Sequence, residues 1–186
     1  MDGSPKNATL VRHGETEYNR RAQIQGSGID AVLNETGQGQ ARSLYESAPL
    51  PTAESVIVYS SPMRRAVETG TIATGRSSDS FLMDDRLKER SFGSWEGHYL
   101  SEIRGRTKEL GLNSIWQLQC DGVESAGETQ DRIKSFVDDM VKAIDADTKD
   151  IIIFAHGALI HQFLIHLKSR NALIPPEVIH RGFTTV

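Results

Sequence analysis

The amino-acid sequence predicts an α/β fold: a three-layer α/β/α sandwich with a mainly parallel central sheet. Three observations predict it. β-branched or apolar runs occupy 8–11, 55–59 and 151–154, of strand length and nearly continuous, as in strands buried on both faces. Segments with helical spacing or helix-start residues lie between them, the alternation expected of right-handed crossovers that bury a parallel sheet. The 186 residues show no repeat, low-complexity block or linker, so 1–186 is expected to be one domain, burying roughly 70% of its unfolded surface.

Taken in order, Thr9, Leu10 and Val11 suit a buried strand that breaks at Arg12-His13-Gly14-Glu15-Thr16. Asn34 or Thr36 is placed to cap a helix running to about Ala48, with Pro49 and Pro51 stopping it. The strand at 55–59 leads into Ser60-Ser61-Pro62, where Ser61 is expected as N-cap and Pro62 as first-turn proline of the next helix. Another helix is expected from about His98 to Leu110, then a loop-rich stretch from Gly111 to Gly127. Within 128–144, Ile133, Phe136, Val137, Met140, Val141 and Ile144 fall at helical spacing. The run 151–154 reads as the central strand, followed by a helix from about Ala158 to Lys168. Pro175-Pro176 then breaks the chain, and 183–186 reads as the start of a last strand.

Composition excludes several classes. A formal net charge of −4 argues against a nucleic-acid or anionic-membrane partner, while leaving room for a local positive pocket. Cys120 is the lone cysteine, so no internal disulfide forms, which favours a reducing, cytoplasmic setting. The absence of CxxC and HExxH patterns argues against a metal site, and no cofactor is expected. The start, Met1 to Ala8, is polar and unlike a secretory signal. The most apolar stretch, 151–167, is short for a membrane span and holds His156, His161 and His166.

Three strand ends carry similar chemistry. Arg12 and His13 follow the first strand, Ser60, Ser61, Arg64 and Arg65 the second, and His156 and Gly157 the strand at 151–154. In a parallel sheet these ends face one crevice, where ligands bind. Two histidines and at least two arginines gathered there repel one another unless an anion sits between them, and phosphate matches the guanidinium fork. Gly14 allows backbone to come close to a ligand. The plainer reading makes His13 a strand-end cap with Arg12 in a surface ion pair, His156 a hydrogen-bonded structural residue, and Glu89 an exposed partner of Arg86 or Arg90.

Taken together and in order, these residues resemble the histidine phosphatase superfamily, in its phosphoglycerate mutase-like branch. The resemblance rests on Leu10-Val11-Arg12-His13-Gly14-Glu15-Thr16 with Asn19, on Gln25-Gly26 with Asp30 and Leu33, and on Gly37, Gln40 and Ala41. It continues through Ser60-Ser61-Pro62, Arg65-Ala66 and Thr69, then Leu87, Glu89, Phe92-Gly93 and Trp95-Glu96-Gly97. Gly127-Glu128-Thr129 and Ala155-His156-Gly157 complete it. The resemblance implies that His13 is the nucleophile, Arg12 and Arg65 clamp the phosphoryl oxygens, and His156 donates to the phosphoryl group. It implies that Glu89 is the general acid and then the base for water. That role calls for a raised pKa, and so for a seat off the phosphate, desolvated near Phe92 or Trp95. Substrate contacts fall to Asn19, Gln25, Gly26 and Gly157, while Gly127, Glu128 and Thr129 cap a helix and shape the rim.

The implied activity is metal-independent phosphomonoester hydrolysis through a phosphohistidine, with a small phosphorylated substrate. Mutase-type phosphotransfer uses the same intermediate, but the related mutases carry extra cap segments and this chain is short. A non-catalytic phosphate-binding or scaffold domain is the rival from another class, and the usual sign of it, a missing histidine, arginine or acid, is absent. The opening through Gln25 and Leu87-Lys88-Glu89-Arg90 resemble fructose-2,6-bisphosphatases, and Asp121-Gly122 with Gly127-Glu128-Thr129 resemble sugar-bisphosphate phosphatases, which points to a phosphosugar. Arg20, Arg21, Arg64, Arg90 and Arg104 are the candidate cations for a distal phosphate, and each reads equally well as solvated surface. Two positions depart from the pattern: His161 stands where relatives often have arginine, and Arg181-Gly182-Phe183 replaces an asparagine before the last strand. The chain stops at Val186, where continuation of a native chain is one expectation, and a homodimer is a candidate oligomeric state.

Overall fold

The computed structural model describes residues 7–47, 50, 56–118, 122–143, 150–169 and 180–181. Strands β1 (Asn7–Arg12), β2 (Val56–Ser60), β3 (Leu82–Met83), β4 (Asp150–Ala155) and β5 (His180–Arg181) form one sheet in the order β3-β2-β4-β1-β5. All of its strand pairs are parallel. The helices are α1 (Glu17–Arg20), α2 (Glu35–Ser47), α3 (Arg64–Thr74), α4 (Leu100–Glu109), α5 (Ala126–Ala143) and α6 (Gly157–Ser169).

The side-chain alternation of β4 creates the layers. Ile151, Ile153 and Ala155 enter one core with Ile133, Phe136 and Val137 of α5 and Leu159, Ile160 and Phe163 of α6. Ile152 and Phe154 enter a second core with Leu44 of α2 and Ala66 and Ala73 of α3. Because successive strand residues face opposite ways, one continuous apolar run serves both cores. A smaller cluster of Ile24, Phe92, Ile103 and Leu118 seats α4. The same helix start is tied to the segment before it: Ile24 N–H donates to His98 O at 2.9 Å, and Leu100 N–H to Ala22 O at 2.8 Å.

Several boundaries differ from the sequence expectation. Of the two candidates before α2, Asn34 is the cap, its Oδ1 accepting from Gly37 N–H at 2.9 Å. Ser61 does not cap α3, which starts at Arg64 after Met63, and Pro62 lies outside the helix. The Ser61 hydroxyl is instead buried at the sheet end, bonded to His156 and accepting weakly from Met63 N–H. α5 begins at Ala126, earlier than Glu128, because Ser125 and Glu128 form a reciprocal cap over its first turn. The stretch expected as loop also holds a 3₁₀ turn at Ile115–Gln117. β5 pairs with Leu10 and Val11 through His180 and Arg181, upstream of the expected last strand. Positions 183–186, Pro175-Pro176, Ala48, Pro49, Pro51, Ser55 and Ile144 lie outside the described residues. The short α1 and β3 had no signal strong enough to predict them.

Gly14 is required by a close approach within the fold. A Cβ there would sit 2.6 Å from the Gly37 carbonyl oxygen, so glycine lets the chain leaving β1 pass against the first turn of α2. Its N–H donates to Thr69 Oγ1 at 2.9 Å, tying the same point to α3. Gly14→Ala is expected to destabilise the fold by about 1–3 kcal/mol through overpacking. Calorimetry should show Tm falling by about 2–4 °C per kcal/mol.

Candidate active site

The sheet register builds the site. β1 and β4 are neighbours with Arg12 opposite Ala155, so the residues that follow, His13 and His156, emerge side by side. Their ring centroids lie 5.2 Å apart. His13 N–H extends the ladder by donating to Ala155 O at 3.0 Å, and on the other flank of β4 Ser61 N–H donates to Phe154 O at 2.9 Å. α3 begins three residues after Ser61 and brings in Arg65 on its first turn.

His13 is buried, and its Nδ1 lies 2.7 Å from the Gly14 carbonyl oxygen. A carbonyl only accepts, so Nδ1 carries the proton and Nε2 keeps the lone pair. Burial, then the Arg65 charge, lowers the His13 pKa to about 3, with Arg12 adding to the fall and the Gly14 bond opposing it. The imidazole is therefore neutral at physiological pH.

Arg65 is fully buried and almost entirely committed. Its Nη1 donates to Ile29 O and its Nη2 to Gly26 O, each at 2.8 Å, while Nε donates to His156 Nδ1 at 3.2 Å. Burial draws its pKa down, against the opposing pull of Glu89, Asp30 and Glu96. His156 Nδ1 is thus an acceptor, and its Nε2–H donates to Ser61 Oγ at 2.8 Å. Burial first and Arg65 second hold His156 well below the ordinary imidazole range. Its two nitrogens face protein partners, so the ring stands behind Arg65 rather than on the open wall.

Glu89 is fixed by backbone amides. Its Oε1 accepts from Leu159 N–H at 3.0 Å and Arg90 N–H at 2.9 Å, and Oε2 accepts from Ala158 N–H at 3.1 Å. The carboxylate rests on the first turn of α6, where free amide groups attract it, and shares the cavity lining with Phe92. The side chains of Arg86 and Arg90 have other partners: Arg86 binds Asp84 and Asp139, and the Arg90 guanidinium lies 4.4 Å from the Trp116 ring centroid. Sequence reasoning missed Arg132, which braces this segment. Its Nη1 donates to the carbonyls of Arg86 and Lys88 while it ion-pairs with Glu124. No motif marked it, since an arginine on a helix reads as surface.

These groups meet at a cavity of about 360 Å³. Arg12, His13, Arg65, Glu89, Asn19, Gln25 and Gly26 line it, together with Ile24, Phe92, Leu100 and Arg104. Asn19 Oδ1 is held by the Thr16 cap of α1, leaving its Nδ2 on the cavity side without a bond among the described residues. Gln25 Oε1 is buried and has no hydrogen-bond partner among them. Gly26 adopts a positive φ of 57°, which aims its carbonyl at Arg65. Gly157 makes room for Arg12: a Cβ there would meet the guanidinium at 3.3 Å. Among the described residues no group of three or more His, Cys, Asp or Glu is placed to hold a metal ion, and no helix is long and apolar enough to cross a membrane.

Residues 8–179 match the histidine phosphatase superfamily, branch 1. The chain belongs to that family. It is 34% identical over 131 residues to fructose-2,6-bisphosphatase TIGAR B of Danio rerio, covering 68% of this chain and 48% of that protein. It is 34% identical over 158 residues to the uncharacterized phosphatase PhoE of Bacillus subtilis, covering 85% and 75%. The crystal structure of TTHB049 from Thermus thermophilus superimposes with a TM-score of 0.63 at 32% identity, covering 82% of this chain and 79% of that one. A histidine phosphatase fold, phosphoglycerate mutase-like, is therefore the architecture of this chain.

The buried histidines make the stability of this family member pH-dependent. His13 titrates near 6.5 unfolded and about 3 folded, so between these values the unfolded chain binds more protons. His156 acts in the same direction. Stability is expected to be full above pH 6.5 and to fall as pH drops. The stability that the depressed carboxylates Asp84 and Asp139 contribute is present throughout this range and is lost only at lower pH, as they protonate. Urea midpoints measured from pH 7 to 5 should therefore decline, and His13→Gln should flatten the decline.

Proposed function

We propose that this protein is a metal-independent phosphomonoesterase that forms a phosphohistidine on His13 and acts on a small phosphorylated metabolite such as a sugar phosphate. The observation that carries the reading is the state of His13. Its ring is neutral, with Nδ1–H tied to Gly14 O and Nε2 without a hydrogen bond among the described residues, beside Arg12 on the cavity and next to Arg65. A buried neutral imidazole flanked by guanidiniums is an activated nucleophile waiting for a dianion.

In the first step the Nε2 lone pair attacks phosphorus and the ester P–O bond breaks. The leaving oxygen takes a proton from the Glu89 carboxylic acid. In the second, the Glu89 carboxylate takes a proton from water, the water oxygen attacks phosphorus, and the N–P bond breaks to release phosphate. Arg12 and Arg65 neutralise charge on the equatorial oxygens in both steps. His156 acts as a positioning residue: its Nδ1 lone pair holds Arg65 Nε–H and its Nε2–H is anchored on Ser61 Oγ. Asn19 Nδ2 is placed to donate as well. Gly26 and Gly157 act through backbone, one holding Arg65 and the other admitting Arg12. The unsatisfied Gln25 Oε1 favours a substrate that brings a hydroxyl donor, as a sugar does. The cavity volume lies at the small end of ligand sites, which favours a metabolite over a phosphoprotein.

Hydrolysis of p-nitrophenyl phosphate is expected to survive chelator and to fall by at least about 10³-fold in His13→Ala. No hydrolysis by the wild type overturns the proposal. Glu89→Gln is expected to lose about 10²-fold or more with sugar phosphates, whose alkoxides leave poorly, and far less with p-nitrophenyl phosphate. Equal losses on both count against Glu89 as the acid.

A further inference from the structure

Twelve arginines from Arg12 to Arg132 have described side chains, and ten of them have a hydrogen-bond or ion-pair partner in the fold. The remaining two are Arg12 and Arg104, and both line the same cavity. Arg12 is accounted for by the reacting phosphoryl group. Arg104 is not.

Arg104 is an exposed residue of α4, one turn beyond Leu100 and on the same face of the helix. Leu100 also lines the cavity, as do Ile24 and Phe92. The reacting groups come from β1, α3 and the segment before Arg90, whereas Arg104 comes from the helix seated on Ile24, Phe92 and Leu118. The cavity is therefore lined by cations from two separate parts of the fold, together with the apolar Ile24, Phe92 and Leu100. Of the candidate distal cations, Arg20 and Arg21 pair with Glu17, Arg64 with Glu68, and Arg90 is buried against Trp116. None of those four lines the cavity.

We infer that Arg104 recognises a second anionic group, carboxylate or phosphate, at the end of the substrate remote from the phosphoryl being transferred. The inference rests on the phosphomonoesterase reading and narrows its substrate class to phosphate esters with an anionic tail. A guanidinium with no partner among the described residues keeps its whole donor fork for a planar or tetrahedral oxyanion that enters the cavity.

Two matched pairs test it. Glucose 6-phosphate and 6-phosphogluconate differ by a carboxylate at the remote end, and fructose 6-phosphate and fructose 1,6-bisphosphate by a second phosphate. Wild type is expected to show kcat/KM at least about tenfold higher for the anionic member of one or both pairs, expressed mainly in KM. A preference in the first pair alone identifies a carboxylate tail, and in the second alone a phosphate tail. Arg104→Gln is expected to reduce the preference to within about twofold, Arg104→Lys to keep part of it, and Arg104→Glu to reverse it. A wild-type ratio near one in both pairs overturns the inference, as does a preference that persists in Arg104→Gln. If the wild type hydrolyses none of the four nor p-nitrophenyl phosphate, the parent reading fails. Calorimetric Kd ratios for the same pairs on wild type and Arg104→Gln then decide the Arg104 inference separately.

Discussion

Like charges crowd the carboxyl end of this sheet, and the fold survives because its two imidazoles there remain unprotonated. Arg65 is sealed from solvent and Arg12 lines the same cavity, so a third or fourth cation beside them would be costly in a low dielectric. The structure resolves the conflict locally. His13 gives its one proton to a carbonyl, His156 turns a lone pair to Arg65, and Arg65 spends two further donors on the carbonyls of Gly26 and Ile29. The same neutrality that makes the arrangement tolerable leaves a nucleophilic lone pair facing a cavity.

Register does the positioning. Because β4 lies between β1 and β2, residues distant in sequence leave the sheet at one level, and the pairing of Arg12 with Ala155 delivers the two rings as neighbours. Rigid, doubly buried strands hold such groups more accurately than loops do. Glu89 arrives by another route, on a segment clasped by Arg132 through the carbonyls of Arg86 and Lys88 and terminated on the amides of α6.

Much of this was legible in the sequence because parallel strands write themselves as apolar runs whose ends carry the chemistry. The run 151–154 announced a central strand, and His13 and His156 could be placed from strand ends, whereas choosing Arg65 over Arg64 took the family resemblance. What stayed hidden depends on contacts between remote segments. Nothing local distinguishes Ser61 as a cap from Ser61 as a partner of His156, since a serine before Pro62 suits either. The need for glycine at position 14 arises from Gly37, twenty-three positions away in the chain, and Arg132 looks like any helical arginine until its carbonyl partners are seen. Tautomers, too, are properties of packing rather than of composition.

α4 hangs from the 22–26 segment by a few backbone bonds and sits on its own small apolar cluster, apart from the two large cores. On the proposed reading, the wall that selects and the floor that reacts are then different building blocks. Substitutions along 98–118 would alter which molecules gain entry while leaving the two large cores in place, giving a lineage with this scaffold a route to new metabolites through drift in one helix.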